Sequence, residues 1–432
     1  MRVLVVGAGI GGLALAQALH LAGDDVQVVD RDPSASATGG YRLHLDALAC
    51  GALRRALAPD HYEALLASSA GPGAFRQFTV TDHRLRVLAV DRQDPAAEQL
   101  LIGRVPLRRL LTVGLQDRIR FGWEYLSHVV APDSTVTSRI RNIHTGFVTV
   151  TDPVDLLVGA DGVGSRVAQA LAGRATSAPV GISGIAGRTP INAWTRSLVP
   201  ELLRAGPALA FGPGGAAVFL SLHDPSNGPA VNPPTGNTVP ADIEPPSLVW
   251  GLVAPNTRLP ADLRALPASR LASIAVRLLA GWEPSVLASI AASDLSGVAA
   301  YSFFAADPGT DLTPWVARSA TCLGDAVHAM PPTGGRGAAT AIRDGDLLAT
   351  HLRQVRQGST TLAVALHDYQ RAMTAYAPAA VRESLAPLPW IRASSGPVGK
   401  HLSRAALTLL ALAARGHRSM HLRNRRPASA AE

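Results

Sequence analysis

The sequence predicts an α/β protein in which a Rossmann-like nucleotide-binding domain, assembled from discontinuous segments, carries a mainly antiparallel sheet domain and C-terminal helices. Three observations carry that prediction. An apolar strand starting at residue 2 runs into a Gly-x-Gly-x-x-Gly turn and a helix. Two further glycine-rich segments, DGVGSR from Asp161 and GDAVHAMPPTGGRGAAT from Gly324, each follow a short apolar strand far along the chain. Between them the texture changes to short alternating strands. The chain then divides into a nucleotide-binding domain of residues 1–74, 96–178 and 318–385, a sheet domain of residues 75–95 and 179–317, and a helical, basic tail of residues 386–432.

Val3 to Val6 form the first strand, and Gly7, Gly9, Gly11 and Gly12 stand at its turn. Gly7 supplies the tight turn, Gly9 lets a pyrophosphate approach bare backbone, and Gly12 lets the helix pack on the strand, with Gly11 beside it at the helix start. A second strand, Val26 to Val29, ends in Asp30, whose carboxylate suits the ribose hydroxyls of an adenosine, with Arg31 along the same edge. This spacing does not separate a nicotinamide from a flavin dinucleotide.

After a polar loop the pattern predicts a strand over Tyr41 to Leu45, a helix over Asp46 to Leu57, a hairpin of Phe75 to Val80 and Leu85 to Val90, and a proline-started helix over Pro106 to Gln116. Short strands follow to Thr151, and Asp155 to Ala160 is a buried strand. In the sheet domain the strands are Ala208 to Gly212, Ala216 to Leu222, Leu248 to Val253 and Ala299 to Phe304, with helices over Ala268 to Ala280 and Pro284 to Ala291. Asp224 to Pro246, with seven prolines, reads as a long mobile loop. Long helices over Ala338 to Arg356 and Leu362 to Arg382 close the body. Gly212, Gly214 and Ala217 imitate a second dinucleotide turn, but Pro213 and the apolar strand that follows predict a hairpin instead.

Composition removes several classes. The 432 residues are 47% hydrophobic and 17% charged, ample for a buried core of two or three lobes. The net charge of +8 is concentrated beyond residue 400, where no interleaved aromatics accompany it, so no nucleic-acid partner is expected. No apolar run reaches the ~20 residues of a transmembrane helix, and the chain opens directly on the nucleotide strand, so the expected location is cytoplasmic. Two distant cysteines, Cys50 and Cys322, predict neither disulfide nor metal site. Lys400 is the one lysine, and its surroundings lack the Walker A pattern, which sets aside P-loop and Schiff-base chemistry. No signal fixes an oligomeric state.

Taken together, the fingerprint, DLLVGADGVGSR and GDAVHAMPPTGGRGAAT resemble the single-component FAD-dependent aromatic hydroxylases, the para-hydroxybenzoate hydroxylase-like flavoprotein monooxygenases, over most of residues 1–385. The resemblance makes the first domain a FAD-binding domain. It implies that Asp161 and Gly162 serve FAD and the nicotinamide cofactor, that Asp325 holds the flavin ribityl chain, and that Arg42 and Arg104 flank FAD. Pro332 stiffens the loop before the helix over Ala338 to Arg356, Gly335 lets backbone lie close to a flat ring, and the helix start at Gly337, Ala338 and Ala339 offers N–H groups to the negative charge of reduced flavin. The family pattern has Asn where this chain has Ala339, so backbone donors must serve there.

The implied reaction is monooxygenation: NADPH or NADH, as a transient co-substrate, reduces FAD, O2 adds at flavin C4a, and the hydroperoxide hydroxylates an aromatic or polyketide-like small molecule, as in secondary metabolism. His44, two residues beyond Arg42 on the same strand face, is the candidate base for a phenolic substrate. Phe211, Phe219, Trp250, Tyr301 and Phe303 are the candidate substrate-pocket residues, and no metal is expected. Epoxidation, Baeyer-Villiger oxidation, or reduction and oxidation without hydroxylation are the alternatives within the fold. An NAD-dependent dehydrogenase is the remote one, since it leaves the segment at Gly324 unexplained.

Overall fold

The computed structural model describes residues 1–394, apart from 41, 71–73, 95 and 226–238, together with residue 406. Its central element is a five-stranded parallel sheet in the order Ala320–Cys322, Leu156–Gly159, Arg2–Val6, Asp25–Asp30, Ile119–Phe121. Strands from four distant stretches of sequence thus make one sheet. Arg2–Val6 and Leu156–Gly159 are almost continuous buried apolar runs, as inner strands of a parallel sheet require, whereas the edge strand Ile119–Phe121 exposes Arg120. The helix Ile10–Leu21 leaves the first strand and crosses the long helix Gly337–Arg356.

That crossing is unusually close. A Cβ on Gly11 would stand 2.9 Å from both the Ala341 Cβ and the Leu323 Cδ1, and one on Gly345 would stand 3.1 Å from the Leu15 amide nitrogen. Gly11, expected at the cofactor, is therefore a packing residue on the far side of its helix. We predict that Gly11→Ala destabilises the FAD-free chain by about 1–3 kcal/mol, since overpacking there must push the crossing helices apart. Chemical denaturation measures it, and an unchanged midpoint would return Gly11 to the cofactor site.

A seven-stranded sheet makes the second layer, in the order Ala299–Ala305, Ala178–Pro190, Ser247–Pro255, Ala217–His223, Ala208–Phe211, Gln77–Asp82, Val87–Arg92. All its pairs are antiparallel except that between Ala208–Phe211 and Gln77–Asp82. Its back face, with Ile185, Ala210, Val218, Leu220, Trp250 and Leu252, packs on the helices Ala268–Leu278 and Pro284–Ala291. Its front face, with Leu209, Phe211, Ala217, Phe219, Val253, Tyr301 and Phe303, packs at one end on the helix Leu388–Ala393. A small antiparallel pair, Arg42–Leu45 with Leu100–Gly103, adds Leu45, Leu100 and Ile102 to the core around the parallel sheet, and Trp123–Val130, Val136–Asn142 and Val148–Val150 form a separate three-stranded sheet.

Several elements depart from the sequence pattern. The thirteen-residue strand Ala178–Pro190 and the helix Pro59–Ser68 carry no periodic signal that announced them. The helix expected from Pro106 begins at Arg104 and ends at Leu110, with Pro106 inside its first turn, where no intrahelical N–H bond is lost. The long final helix is two, Leu362–Thr374 and Ala377–Leu385, because Pro378 starts a new first turn. The imitation dinucleotide turn is a hairpin, closed by the Gly212 N–H donating to the Ala216 carbonyl at 2.9 Å. Most of the proline-rich loop and of the basic tail lies outside the described residues. Among the described residues no helix is long and apolar enough to cross a membrane.

Candidate active site

The fingerprint builds a buried helix start. Gly7 takes φ +111°, and a Cβ there would collide with the Ala160 carbonyl of the neighbouring strand. A Cβ on Gly12 would collide with the carbonyl of Gly7 itself, whereas Gly9 faces open space, with only the Ala160 oxygen as near as 4.0 Å. No side chain caps the helix at Gly9, so the N–H groups of its first turn are left for a ligand although Ile10, Gly11 and Gly12 are buried.

Asp30 ends the second strand as expected, but it is held from inside the protein. Its Oδ2 accepts from the Ala8 N–H at 2.5 Å and its Oδ1 from the Asp32 N–H at 2.7 Å. The guanidinium of Arg108 stands 3.3 Å from Oδ2, 2.7 Å from Asp32, and donates through Nε to the Ala8 carbonyl at 2.7 Å. Burial raises the Asp30 pKa, with these hydrogen bonds and Arg108 offsetting part of the rise. Sequence reasoning missed Arg108. The basic neighbour of Asp30 is this buried side chain, and Arg31 is exposed.

Asp161 also turns inward. It accepts from the Ser165 hydroxyl and, at 2.8 Å, from the Arg166 N–H, so it fixes the start of the helix Arg166–Ala172. Arg166 pairs with Glu124 at 2.9 Å. Gly162, at φ +74°, faces open space beside the fingerprint turn.

At the third segment the structure gathers a buried polar cluster. Asp344, fully buried, accepts from the Gly324 N–H at 2.8 Å, from the Tyr376 hydroxyl at 2.6 Å and bonds His328 Nε2 at 2.6 Å. Burial pushes the His328 pKa down, but Asp344 outweighs it and the net direction is up. His328 is thus a structural partner of Asp344, which the sequence pattern did not single out. Asp325 behaves differently: its Oδ1 is buried without a hydrogen-bond partner. Burial raises its pKa, and the charges of His328 and Arg104 offset only part of that.

Around Asp325 stand the groups expected of a flavin site. The helix Gly337–Arg356 starts with no side-chain cap, leaving the N–H groups of Gly337, Ala338 and Ala339 free, and the Gly337 Cα-side space lies against Asp325 Oδ1. The Ala339 side chain itself packs in the core. Pro332 opens a short 3-10 turn that ends at Gly335, φ +64°, with open space around it. An orphaned carboxylate, two uncapped helix starts and two open glycines fit a dinucleotide with a hydroxylated chain, so the residues present suit FAD.

Arg42 is buried and donates through Nη2 to the Leu101 carbonyl at 2.8 Å, while Nε and Nη1 find no partner. Burial pulls its pKa down to about 10 against the opposing charge of Glu244. His44 lies on the same strand face but is engaged elsewhere: Nε2 bonds Gln99 at 2.8 Å, and the ring packs on Phe75 at 4.2 Å between centroids. Burial lowers its pKa, so the ring is neutral at pH 7. Arg104 packs against Gly40, and its charge acts on both Asp325 and Tyr301.

Of the candidate pocket residues, Phe211, Phe219 and Tyr301 are half-buried on the front face, and Phe303 is core beneath Leu388 and Ile391. Trp250 has to be corrected. It is fully buried on the back face, its Nε1 donating to Ser293 at 2.7 Å, because it pairs with Leu220 and is one residue out of phase with Phe219.

Comparison with known proteins agrees with this geometry. The family model described as FAD binding domain matches residues 1–199 and 312–384. A dual O-methyltransferase/FAD-dependent monooxygenase of Cercospora beticola is 28% identical over 397 residues, covering 86% of this chain but 44% of that protein, so the chain spans less than half of that curated relative. The 6-hydroxynicotinate 3-monooxygenase of Pseudomonas fluorescens is 28% identical over 375 residues, covering 86% and 87%. Among solved structures, an FAD-containing monooxygenase from Photorhabdus luminescens superposes with a TM-score of 0.74 at 28% identity, over 90% of this chain and 97% of that one. The chain belongs to the FAD-binding domain family, among the flavoprotein monooxygenases related to para-hydroxybenzoate hydroxylase.

Proposed function

We propose that this chain is a FAD-dependent monooxygenase that uses NADPH or NADH and O2 to hydroxylate an aromatic or polyketide-like small molecule. One observation carries the reading: the loop at Gly39 and Gly40 stands against both the Tyr301 hydroxyl, on the front face of the large sheet, and the Arg104 side chain, whose charge bears on the unpartnered Asp325 of the flavin segment. A ring bound against that face then lies next to the cofactor site. When bound, FAD supplies the chemistry, accepting a hydride from the nicotinamide and activating O2 for transfer of one oxygen atom.

The protein's role is binding, orientation and exclusion of water. Asp325 would hold the ribityl hydroxyls, the free N–H groups of Gly337, Ala338 and Ala339 would face the electron-rich edge of the ring, and those of the first helix turn after Gly9 would hold the pyrophosphate. Arg108 keeps Asp30 and the Ala8 turn in place for the adenosine end. Phe211, Phe219 and Tyr301 would line the substrate side, and the helix Leu388–Ala393 closes one end of that face to solvent. With Nε2 donating to the Gln99 amide oxygen, Nδ1 of neutral His44 is the nitrogen that would take a proton. With a single dinucleotide turn, the nicotinamide must visit and leave.

The test begins with colour. The purified chain should retain or take up FAD and show flavin absorbance; a chain that binds none sinks the reading. Phenols and aromatic acids that accelerate NADPH oxidation under oxygen-18 should yield product with one labelled atom, whereas flavin reduction with no label in the product assigns a reductase.

A further inference from the structure

On the two-stranded pair and on the front face of the large sheet, buried polar atoms are left without partners. Besides Nε and Nη1 of Arg42, these are Nδ1 of His223 and Oγ of Ser221. Arg42 is 7% exposed, His223 2% and Ser221 0%. Ser221 and His223 alternate with Leu220 and Leu222, so they share the face of Phe219. Arg42 acts electrostatically on His223, whose ring burial keeps neutral with a pKa lowered to about 4. His223 Nε2 donates to the Glu244 carbonyl at 2.8 Å, so in the neutral ring Nδ1 is an unpartnered acceptor.

Arg42 has no ion-pair partner within 4 Å among the described residues. The opposing charge that acts on it, Glu244, is drawn instead over the backbone of Gly103, where a Cβ would collide with it, and stands 3.9 Å from Arg188. A buried guanidinium with two idle donors is costly unless an anion completes it. From Phe219 to His223 is four residues of strand, about 13 Å, longer than one aromatic ring.

On the monooxygenase reading above, we propose that Arg42 and Ser221 form the polar end of the substrate pocket and bind an anionic oxygen, a carboxylate, phenolate or enolate, of a fused-ring substrate whose apolar body lies along Phe219, while the unprotonated Nδ1 of His223 accepts from a hydroxyl of the same substrate. Glu244 is the counter-charge that this oxygen displaces. The alternative source of the anion is a phosphate of the dinucleotide, in keeping with the place beside FAD that the family resemblance gives Arg42.

The probes are 2-naphthoate and its neutral isostere 2-naphthamide, titrated into the FAD-loaded enzyme and read by the shift of the flavin absorbance bands. The acid should bind at least about tenfold tighter than the amide, a margin typical of a charge-assisted bond. Arg42→Gln should erase that preference while leaving FAD affinity unchanged, and Glu244→Gln should tighten the acid alone. Equal affinity for the two probes, binding of neither, or a preference that survives Arg42→Gln overturns the proposal. Loss of FAD rather than of naphthoate in Arg42→Gln also overturns it and gives Arg42 to the cofactor phosphates. If the chain takes up no FAD, the flavin reading fails, and calorimetry with the same two probes on the FAD-free chain still decides the subsite.

Discussion

Asp325→Ala should weaken FAD binding by about tenfold to a hundredfold, the loss of one charge-assisted hydrogen bond of roughly 1.5–3 kcal/mol. The same carboxylate makes a second and opposite prediction for the protein without cofactor. Its Oδ1 is buried and unpartnered, and burial raises its pKa above the ordinary 3.8. A carboxyl whose folded pKa lies above its unfolded value costs stability at pH above both and regains it as pH falls through the folded value. Asp325→Asn, which removes the charge and keeps the shape, should therefore raise the melting temperature of the FAD-free chain at pH 7. That gain should shrink as the pH is lowered toward 4.

The two effects must appear together for the assignment to stand. A carboxylate that merely supported the loop would lose stability when neutralised, and FAD affinity would follow the fold. A carboxylate reserved for a ligand gains stability when neutralised and loses affinity, because the ligand was the missing partner. Fluorescence quenching of FAD and thermal melts of the FAD-free chain separate the cases. A lower melting temperature of Asp325→Asn with unaltered FAD affinity would show that this carboxylate does not serve the flavin.

How far such residues could be read in the sequence depended on whether their partners were near in the chain. The fingerprint was legible because strand, turn, helix and acid follow within thirty residues, and local spacing alone sets their geometry. The strand Ala178–Pro190 was not, for a physical reason. A Cβ on Gly184 would stand 2.7 Å from the Phe303 ring, and one on Gly187 would stand 2.7 Å from that of Trp250. Glycines that weaken a strand's signal are here the hollows into which aromatic side chains from adjoining strands settle. Trp250 was misplaced for a related reason, since which face a strand residue takes depends on register with its neighbours. Glu244 and His223 flank a proline-rich stretch whose composition announces only a loop, and nothing local pointed to Asp344 in the middle of the long helix. The one weak signal for Arg108 was its position among leucines in PLRRLL, where a surface arginine would be out of place.

Arg108 carries the other large prediction. Its guanidinium, 3% exposed, is the cation that pairs with both Asp30 and Asp32, and it also holds the Ala8 carbonyl. Arg108→Leu keeps much of the volume but leaves Asp30 buried with its backbone donors alone. Removing one member of a buried pair in this way typically costs about 3–5 kcal/mol. Asp30→Asn in the same chain should restore some of that loss, because the uncompensated charge disappears with it. Arg108→Lys should not, since a single ammonium cannot reach a carbonyl and two carboxylates that a planar fork spans. The pH dependence fixes the cause. Burial already raises the Asp30 pKa, and losing Arg108 must raise it further. With the folded pKa above the unfolded one, lowering the pH toward it protonates Asp30 preferentially in the folded state, so the deficit of Arg108→Leu should be smaller at pH 5 than at pH 8. Urea denaturation at the two pH values measures the deficit directly, and a loss under about 1 kcal/mol, equal at both, would mean that Asp30 keeps its place through the Ala8 and Asp32 amides without Arg108.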